Sequence, residues 1–186
     1  MVNHGIPTEY RFIRFRSRLE ATWARFFDTV GWRWKYEPFD YDGYIPDFVL
    51  LFPHGEVLGE IKPALSLEEL QAHTEKIDRS PWAKEALILG VGEVETSHET
   101  GWDSILGLLG CYDYNPQERV WEPGRFFHCK VCGQYSLHAI YGSFHCRANG
   151  CYDGNGHLGM KDSLEKQWAL AQNLVQWAPR LFGSER

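Results

Sequence analysis

The stretch between residues 45 and 62 constrains the fold of this chain more than any other. It consists of Ile-Pro-Asp-Phe-Val-Leu-Leu-Phe-Pro-His-Gly-Glu-Val-Leu-Gly-Glu-Ile-Lys. An apolar run of strand length, 48–52, is followed by a Pro-His-Gly-Glu turn signal and a return run, 57–62. Two such runs joined by a glycine-containing turn predict a β-hairpin.

The register of this hairpin determines where its charged side chains lie. With residues 54–55 as the loop, Asp47 is expected opposite Lys62 and Val49 opposite Glu60. Side chains alternate across a strand, so Asp47, Glu60 and Lys62 share one face. Buried charges are unfavourable unless they are paired or bound to a metal. The face is therefore either an Asp47–Lys62 ion pair with Glu60 exposed, or a divalent-cation site with carboxylate ligands.

The pattern Pro46-Asp47 followed by Glu60-Ile61-Lys62 resembles the signature of the PD-(D/E)XK nuclease superfamily. Members often carry a glutamate on the helix before the hairpin, and Glu20 lies in such a predicted helix. The order Ser-x-Leu-Glu, Tyr-x-Pro-Asp-Phe, Glu-x-Lys is similar to transposon end-cleaving nucleases, phage endonuclease I-type resolvases and archaeal junction resolvases. The resemblance covers about residues 16 to 92.

The resemblance implies a catalytic centre of four side chains. Glu20, Asp47 and Glu60 would hold one or two Mg²⁺ (or Mn²⁺) ions, with the carbonyl of Ile61 as a further ligand. Lys62 would orient the nucleophilic water, and the metal would stabilise charge on the scissile phosphate. The implied activity is hydrolysis of DNA phosphodiester bonds, in recombination, repair, transposition or phage DNA processing. The choice of DNA over RNA rests on the resemblance alone.

Glu20 also has a purely local interpretation. Ser17 is placed to cap a helix that ends near Gly31, and Glu20, three residues later, completes a capping box. Helical spacing of apolar residues predicts the buried stripe of this helix: Leu19, Trp23, Phe26, Phe27 and Val30. Glu20 lies beside that stripe, where it would either cap its own helix or reach Asp47 and Glu60.

The elements around the hairpin are predicted in the order α, β, β, β, α, β. An aromatic-rich strand, 32–37, precedes the hairpin, and a helix over 66–78 with its own capping box follows it. The apolar run 86–91 predicts a central strand that is covered on both faces. This order is that of the restriction-endonuclease-like core, which the resemblance also implies. We therefore predict an α/β fold with a mixed central sheet.

The chain is predicted to contain three parts. We assign residues 9–112 to the nuclease core, 125–160 to a zinc-ribbon-like module, and 163–179 to a C-terminal helix that packs on the core or on the zinc module. Residues 102–111 predict a fifth strand or a short helix. A turn-rich boundary is expected over 112–124.

Four cysteines in two close pairs predict a tetrahedral zinc site of zinc-ribbon type. They are Cys129, Cys132, Cys146 and Cys151. Four thiolates leave no open coordination position, so the expected role is structural. The second pair is more widely spaced than usual, and His145 or His157 remains an alternative ligand. Disulfides are disfavoured by the expected cytosolic setting, and the remaining Cys111 is interpreted as a buried thiol.

Charge and composition bear on partners and location. The 186 residues carry a net charge of −6, yet residues 1–36 hold seven Arg and Lys against three acids. Such a basic cluster attracts phosphates, and we assign DNA contacts to Arg14, Arg16 and Arg18. No apolar run spans a membrane and no signal pattern begins the chain, so a cytoplasmic protein is expected. A homodimer and a recombinase or transposase partner are further expectations.

Two alternative functions remain open. The chain would be a nucleic-acid-binding or assembly subunit if a nuclease-derived core had lost activity. In the second alternative function, zinc would be catalytic, as in a deaminase or a zinc-ribbon HNH nuclease. The sequence lacks the His-x-Glu before Pro-Cys-x-x-Cys and the Asp-His pair after the first cysteine pair that those sites require.

Overall fold

The order of elements in the first ninety residues is as predicted, with added strands on both sides. The computed structural model describes residues 5–53, 55–93, 95–96, 104–112, 118–139, 146–149, 151 and 164–176. The strands are β1 Thr8–Tyr10, β2 Ile13–Phe15, β3 Arg33–Tyr36, β4 Phe48–Phe52, β5 Gly55–Ile61, β6 Ala86–Leu89, β7 Glu95–Thr96, β8 Ser104–Tyr112, β9 Arg119–His128 and β10 Tyr135–Ala139. The helices are α1 Arg18–Thr29, α2 Leu67–Gln71, α3 Thr74–Asp78 and α4 Leu164–Gln176.

Helix α1 begins and ends where its sequence predicts. The Ser17 hydroxyl oxygen accepts the N–H of Glu20 at 3.1 Å and caps the first turn. Val30 is the C-cap, and Gly31 follows with φ of +77°, a left-handed conformation that glycine adopts without strain. The buried face contains the predicted aromatic residues Trp23, Phe26 and Phe27.

The main sheet is mixed, as predicted. Its strand order is β10-β9-β8-β6-β5-β4-β3, with β7 paired to β8, while β1 and β2 form a separate hairpin. The β5–β6 pair is parallel and the other pairs are antiparallel. The sheet curls around α1, because the Trp32 indole next to β3 donates to the Tyr135 carbonyl of β10 at 2.9 Å. The two ends of the strand order are thereby brought together.

The register of the central hairpin differs by two residues from the predicted one. Val49 pairs with Leu58, since the second strand begins two residues earlier than expected. Continuing this register places Asp47 opposite Glu60, so the predicted opposition of Asp47 and Lys62 is wrong. A shift of two residues preserves the alternation of side chains. The two acids therefore keep the common face that the sequence predicts.

Helices cover both faces of the sheet, and each face has its own apolar core. Helices α1 and α4 pack on one face together with Phe48, Leu50, Leu87 and Leu89. On the opposite face, Leu70 of α2 and Ile77 of α3 pack with Val49, Leu58 and Ile88. Asp47 and Glu60 alternate with the first set along their strands. They therefore lie at the end of the face covered by α2 and α3.

The helix predicted over 66–78 is two short helices. The Ser66 hydroxyl oxygen accepts the N–H of Glu69 at 3.2 Å, so the predicted N-cap is confirmed. The first helix ends where the N–H of His73 bonds to the Leu70 carbonyl, an i→i+3 contact that tightens the last turn.

Among the described helices, none combines the length and the apolar character needed to cross a bilayer.

The C-terminal helix packs on the core, one of the two predicted alternatives. Its buried residues are Leu164, Trp168, Ala171 and Val175. The Trp168 ring centroid lies 4.5 Å from that of Trp23 and 6.1 Å from that of Phe26. The two ends of the predicted range, residue 163 and residues 177–179, lie outside the described residues.

The sheet continues through the region where a boundary was expected. Residues 104–112 form a strand, which decides between the two predictions for this segment. Strand β9 then begins at Arg119, pairs with β8 over most of its length, and pairs with β10 on its other side. The turn-rich prediction is therefore wrong for 119–124. The strand that precedes the first cysteine pair belongs to the same sheet as the central hairpin.

Candidate active site and cysteine centre

Asp47 is buried at the entrance to β4 and is held by two donors. Only 4% of the surface of this residue is exposed to solvent. The backbone N–H of Ile61 donates to Oδ2 at 2.7 Å, and the guanidinium of Arg16 forms a close ion pair with Oδ1. Arg16 also contacts Glu37 at 2.7 Å. The predicted catalytic aspartate is thus oriented by the neighbouring strand and neutralised by an arginine.

Glu60 is buried beside Asp47 and has partners of its own. It is 3% exposed, and the Lys62 ammonium lies 2.6 Å from its Oε1. The Tyr44 hydroxyl donates to Oε2 at 3.1 Å. Burial and the charge of Glu60 raise the pKa of Tyr44, so the phenol remains a proton donor. Both carboxylate oxygens of Glu60 are therefore occupied by side chains from the same face.

The two acids repel each other, and this repulsion is opposed by the positive charges of Arg16 and Lys62. Burial and then the charge of Glu60 raise the pKa of Asp47 to about 7, against the opposing effects of Lys62 and the Ile61 N–H. Two buried carboxylates share a small volume only when positive charge compensates them. A divalent cation bound between them would relieve this repulsion.

Glu20 accepts hydrogen bonds from the start of its own helix and from β3. Its carboxylate accepts from the Ser17 hydroxyl at 2.8 Å, the Arg16 N–H at 3.2 Å and the Tyr36 hydroxyl at 2.6 Å. The Ser17 cap is therefore confirmed, but the Glu20 carboxylate accepts the Arg16 N–H and the Ser17 hydroxyl in place of the Ser17 N–H that a capping box uses. Among the described residues, the four cysteines are the one group of metal-binding type with every ligand atom within 4.8 Å of the others. Glu20, Asp47 and Glu60 do not reach that proximity as placed.

An arginine explains this separation. The Arg16 guanidinium lies 4.0 Å from Glu20 and pairs with Asp47, so it stands between the helix acid and the strand acid. The register of β4 and β5 places Asp47 opposite Glu60, whereas the Glu20 carboxylate is held by Ser17, Arg16 and Tyr36. Ile61 borders the same space, and the ligand role of its carbonyl stays a prediction.

These acids open into a groove of about 900 Å³. Its lining residues are Gly5, Pro7, Arg14, Phe15, Arg16, Ser17, Glu20, Ile45, Asp47, Glu60, Ile61, Lys62 and Lys76. Arg14 and Arg16, two of the three predicted DNA contacts, belong to this set, and Arg18 is exposed nearby on the first turn of α1. The groove therefore combines acids at its floor with basic side chains along its walls.

The structure reveals site residues that sequence patterns did not indicate. Tyr44 and Tyr36 hold Glu60 and Glu20, and the Lys76 ammonium lies 4.5 Å from the centre of the Tyr44 ring. The sequence shows Tyr44 in a turn-rich connection and Lys76 on a helix surface, so no local signal links them to the acids. Their roles arise from the packing of distant segments.

The four predicted cysteines form a cluster that can hold a metal ion such as zinc. Their sulfur atoms all lie within 4.8 Å of one another, and all four are free thiols. The Cys132 and Cys146 sulfurs are 3.6 Å apart, close to the ~3.8 Å edge of a tetrahedron with zinc–sulfur bonds of about 2.3 Å. The predicted alternatives His145 and His157 lie outside the described residues.

Backbone geometry supports the first cysteine pair. The N–H of Gly133 donates to the Cys129 carbonyl at 2.8 Å, and Gly133 has φ of +68°, as a tight knuckle requires. Burial opposes ionisation of the Cys129 thiol, but the N–H groups of Cys132 and Val131 outweigh it and lower its pKa. A thiolate at this position is the form that binds metal.

One arginine ties the cysteine cluster to the main sheet. The Arg147 guanidinium, which follows Cys146, bonds to both carboxylate oxygens of Glu85 at 2.5 and 2.9 Å and to the Leu137 carbonyl at 2.8 Å. Glu85 also contacts Cys111. Burial, and then the charge of Glu85, raise the pKa of the Cys111 thiol to about 12. Cys111 is thus a partly buried, unreactive thiol outside the cluster.

Comparison with known proteins finds no family model, no curated protein and no solved structure that matches this chain.

Proposed function

We propose that this protein is a magnesium-dependent deoxyribonuclease. The observation that carries the proposal is the pair of buried carboxylates, Asp47 and Glu60, at the floor of a groove whose walls are basic. Acids at such a place favour a divalent cation, and the basic walls favour a phosphate backbone. The motif resemblance, Pro-Asp followed by Glu-x-Lys, supports the same assignment.

Each residue of the groove has a role in this proposal. Asp47 and Glu60 would hold Mg²⁺ (or Mn²⁺), with the Ile61 carbonyl as a further ligand. When bound, the metal supplies Lewis-acid stabilisation of charge on the scissile phosphate and leaving oxygen. Lys62, whose ammonium already contacts Glu60, would orient the attacking water. Glu20 would complete the ligand set once Arg16 turns from Asp47 to a phosphate.

The basic residues would position DNA without reading its sequence. Arg14 and Arg16 line the groove, and the exposed Arg18 would extend the contact along the first turn of α1. Charge-assisted bonds from arginine to phosphate fix the register of a duplex and carry no base information. The expected settings remain recombination, repair, transposition or phage DNA processing, with a homodimer or a recombinase partner.

The cysteine centre would bind one structural zinc ion. Four thiolates saturate a tetrahedral ion and leave no position for substrate or water. The Arg147–Glu85 contact would transmit this stabilisation to the sheet. The proposed chemistry therefore needs magnesium at the acids and does not use zinc.

The test is cleavage of plasmid and branched DNA with and without Mg²⁺. Substituting Asp47→Asn or Lys62→Met should reduce cleavage by about 100-fold or more, because each removes a group that acts directly in the reaction. Glu56→Gln is the matched control, since this acid lies on the same strand and pairs with Lys84 away from the groove. Undiminished cleavage by Asp47→Asn would contradict the assigned site.

A second candidate function is an inactive DNA-binding or assembly subunit. It is favoured by the internal ion pairs, because Arg16 neutralises Asp47 and Lys62 neutralises Glu60 without any metal. This function predicts DNA retardation in gels, no heat signal on Mn²⁺ titration, and no cleavage of any substrate. The nuclease function predicts metal binding that Asp47→Asn abolishes. Under the inactive-subunit alternative, Glu20→Gln would lower stability through its lost cap contacts and leave DNA binding unchanged.

A further inference from the structure

The turn of the N-terminal hairpin exposes an aromatic side chain almost completely. Phe12 is 99% exposed, whereas the hairpin residues on either side of the turn, Tyr10 and Ile13, are partly buried against α1. Of the large apolar side chains that the structure describes, Phe12 has the highest exposure. An aromatic residue in such a position contributes nothing to the core of this chain.

The backbone of this turn is strained. Arg11 and Phe12 have φ of +51° and +62°, and both lie between the paired residues Tyr10 and Ile13. Two-residue turns with positive φ at both positions normally use Asn and Gly, which tolerate that conformation. A bulky aromatic residue there is unusual, and strain of this kind persists where the surrounding structure enforces it.

The hairpin is held firmly against α1. The Tyr10 hydroxyl donates to Asp28 at 2.6 Å, and the Arg11 guanidinium bonds to the other oxygen of the same carboxylate at 2.9 Å. Phe15 at the far end of the hairpin is fully buried and packs against Tyr36, with ring centroids 4.5 Å apart. These contacts fix the direction in which the turn presents Phe12 to solvent.

We propose that Phe12 is a stacking wedge that inserts beside an unpaired or weakly stacked base of the DNA substrate. This inference rests on the proposed nuclease function for the identity of the partner as DNA. Arg14, two residues after Phe12 and on β2, lines the groove of the acids. The turn itself lies at the other end of the hairpin, beside Asp28, which is eight residues and about 12 Å along α1 from Glu20.

The chemistry around Phe12 fits a nucleic acid. Arg11 and Arg14 are exposed on the hairpin and complement phosphates, while the ring provides a flat apolar face. Apolar wedges between base steps and base–aromatic stacking are recurrent modes of DNA binding, and neither depends on base sequence. The substrate class is therefore DNA with an unstacked base within a few nucleotides of the cleaved bond, as at a junction, a flap or a frayed end.

The experiment uses the full chain carrying Asp47→Asn, in EDTA, so that binding is measured without cleavage. The probe is a branched DNA with 2-aminopurine at the branch point, compared with the same label inside a perfect duplex. Binding should raise the fluorescence of the branched probe through unstacking. Adding Phe12→Asn should abolish the rise and weaken binding about fivefold or more. Phe12→Trp should retain both effects.

Two choices make the test specific. Asn tolerates positive φ, so Phe12→Asn removes the ring without disturbing the turn. Leu174→Asn is the matched control, because Leu174 is another apolar residue with high exposure, 50%, and lies on α4. It should leave the fluorescence rise unchanged.

The outcomes separate the wedge from the nuclease. An equal rise with Phe12→Asn, or no binding of either probe, overturns the wedge. A change in oligomeric state with Phe12→Asn and an unchanged fluorescence rise assigns the turn to a protein contact and also overturns it. A Phe12-dependent rise in a protein whose unsubstituted form never cleaves DNA supports the wedge and refutes the nuclease. If Asp47→Asn abolishes cleavage and the fluorescence rise does not depend on Phe12, the nuclease is supported and the wedge is refuted.

Discussion

At the scale of single residues, the two central acids differ in how their charge is compensated. Glu60 is paired with Lys62, whose side chain is largely buried, whereas Asp47 depends on Arg16, whose side chain is 54% exposed. Solvent screens an exposed ion pair and weakens it. Asp47 is therefore the less stabilised carboxylate, which agrees with its raised pKa.

This difference predicts a pH dependence of stability in the metal-free protein. The pKa of Asp47 is raised from 3.8 to about 7, first by burial and then by Glu60. Between these values the folded chain binds more protons than the unfolded chain, so stability falls as the pH rises through this window. Asp47→Asn removes the ionisation and should raise the free energy of unfolding at pH 8 by ~1–3 kcal/mol.

Urea denaturation in EDTA at pH 5 and pH 8 measures this effect. The gain from Asp47→Asn should appear at pH 8 and be small at pH 5. Glu56→Gln, which changes an acid of the same strand outside the groove, should show no such difference. An equal pH dependence in the parent protein and in Asp47→Asn would contradict the proposed repulsion.

At the scale of elements, α4 stabilises the fold through its contact with α1. Trp168 packs on Trp23 and Phe26, and Gly92 is so close that an added Cβ would meet the Trp168 ring at 2.7 Å. Helices of this length are marginal alone and depend on such packing. The helix therefore belongs to the core.

Truncating this contact should be strongly destabilising. Trp168→Ala removes a ring that is 8% exposed and should lower the free energy of unfolding by about 3–5 kcal/mol. Leu174→Ala on the same helix is the control, since its side chain is 50% exposed and its loss should change stability by about 0.5 kcal/mol or less. Similar losses in both variants, measured by urea denaturation, would show that α4 does not pack as described.

At the scale of the whole molecule, the cysteine cluster and the main sheet form one connected structure. Strands β9 and β10 lead into the cluster, and Arg147 joins it to Glu85 beside β6. Metal binding at the cysteines would therefore stabilise parts of the sheet that lie far from the metal. The consequence is measurable in the stability of the whole chain.

Removing one metal ligand should destabilise the entire protein. Cys132→Ser should reduce the zinc content from about one ion per chain to near zero, and the lost binding free energy should lower Tm by roughly 10 °C or more. Cys111→Ser is the control, because this thiol lies outside the cluster, and it should keep the metal. Elemental analysis and thermal denaturation test both, and a metal-free parent protein with an unchanged Tm on chelation would refute the zinc assignment.

What the sequence determined by itself is the set of features that depend on neighbouring residues. The Ser17 cap, the glycine that ends α1, the common face of Asp47 and Glu60, and the knuckle at Gly133 all follow from spacing and backbone preference. Periodicity also placed the apolar stripe of α1. These features need no knowledge of distant segments, because hydrogen bonding and side-chain alternation act within a few residues.

The tertiary structure decided which distant groups meet. Arg16 pairs with Asp47, Tyr44 with Glu60, and Arg147 with Glu85, and no local pattern specifies these pairs. It also decided the register of the hairpin and the continuation of the sheet through β9, because both depend on how strands pack against the two cores. Whether the acids hold a metal depends on the tertiary structure, because the stability of a buried charge depends on every group that folding brings beside it.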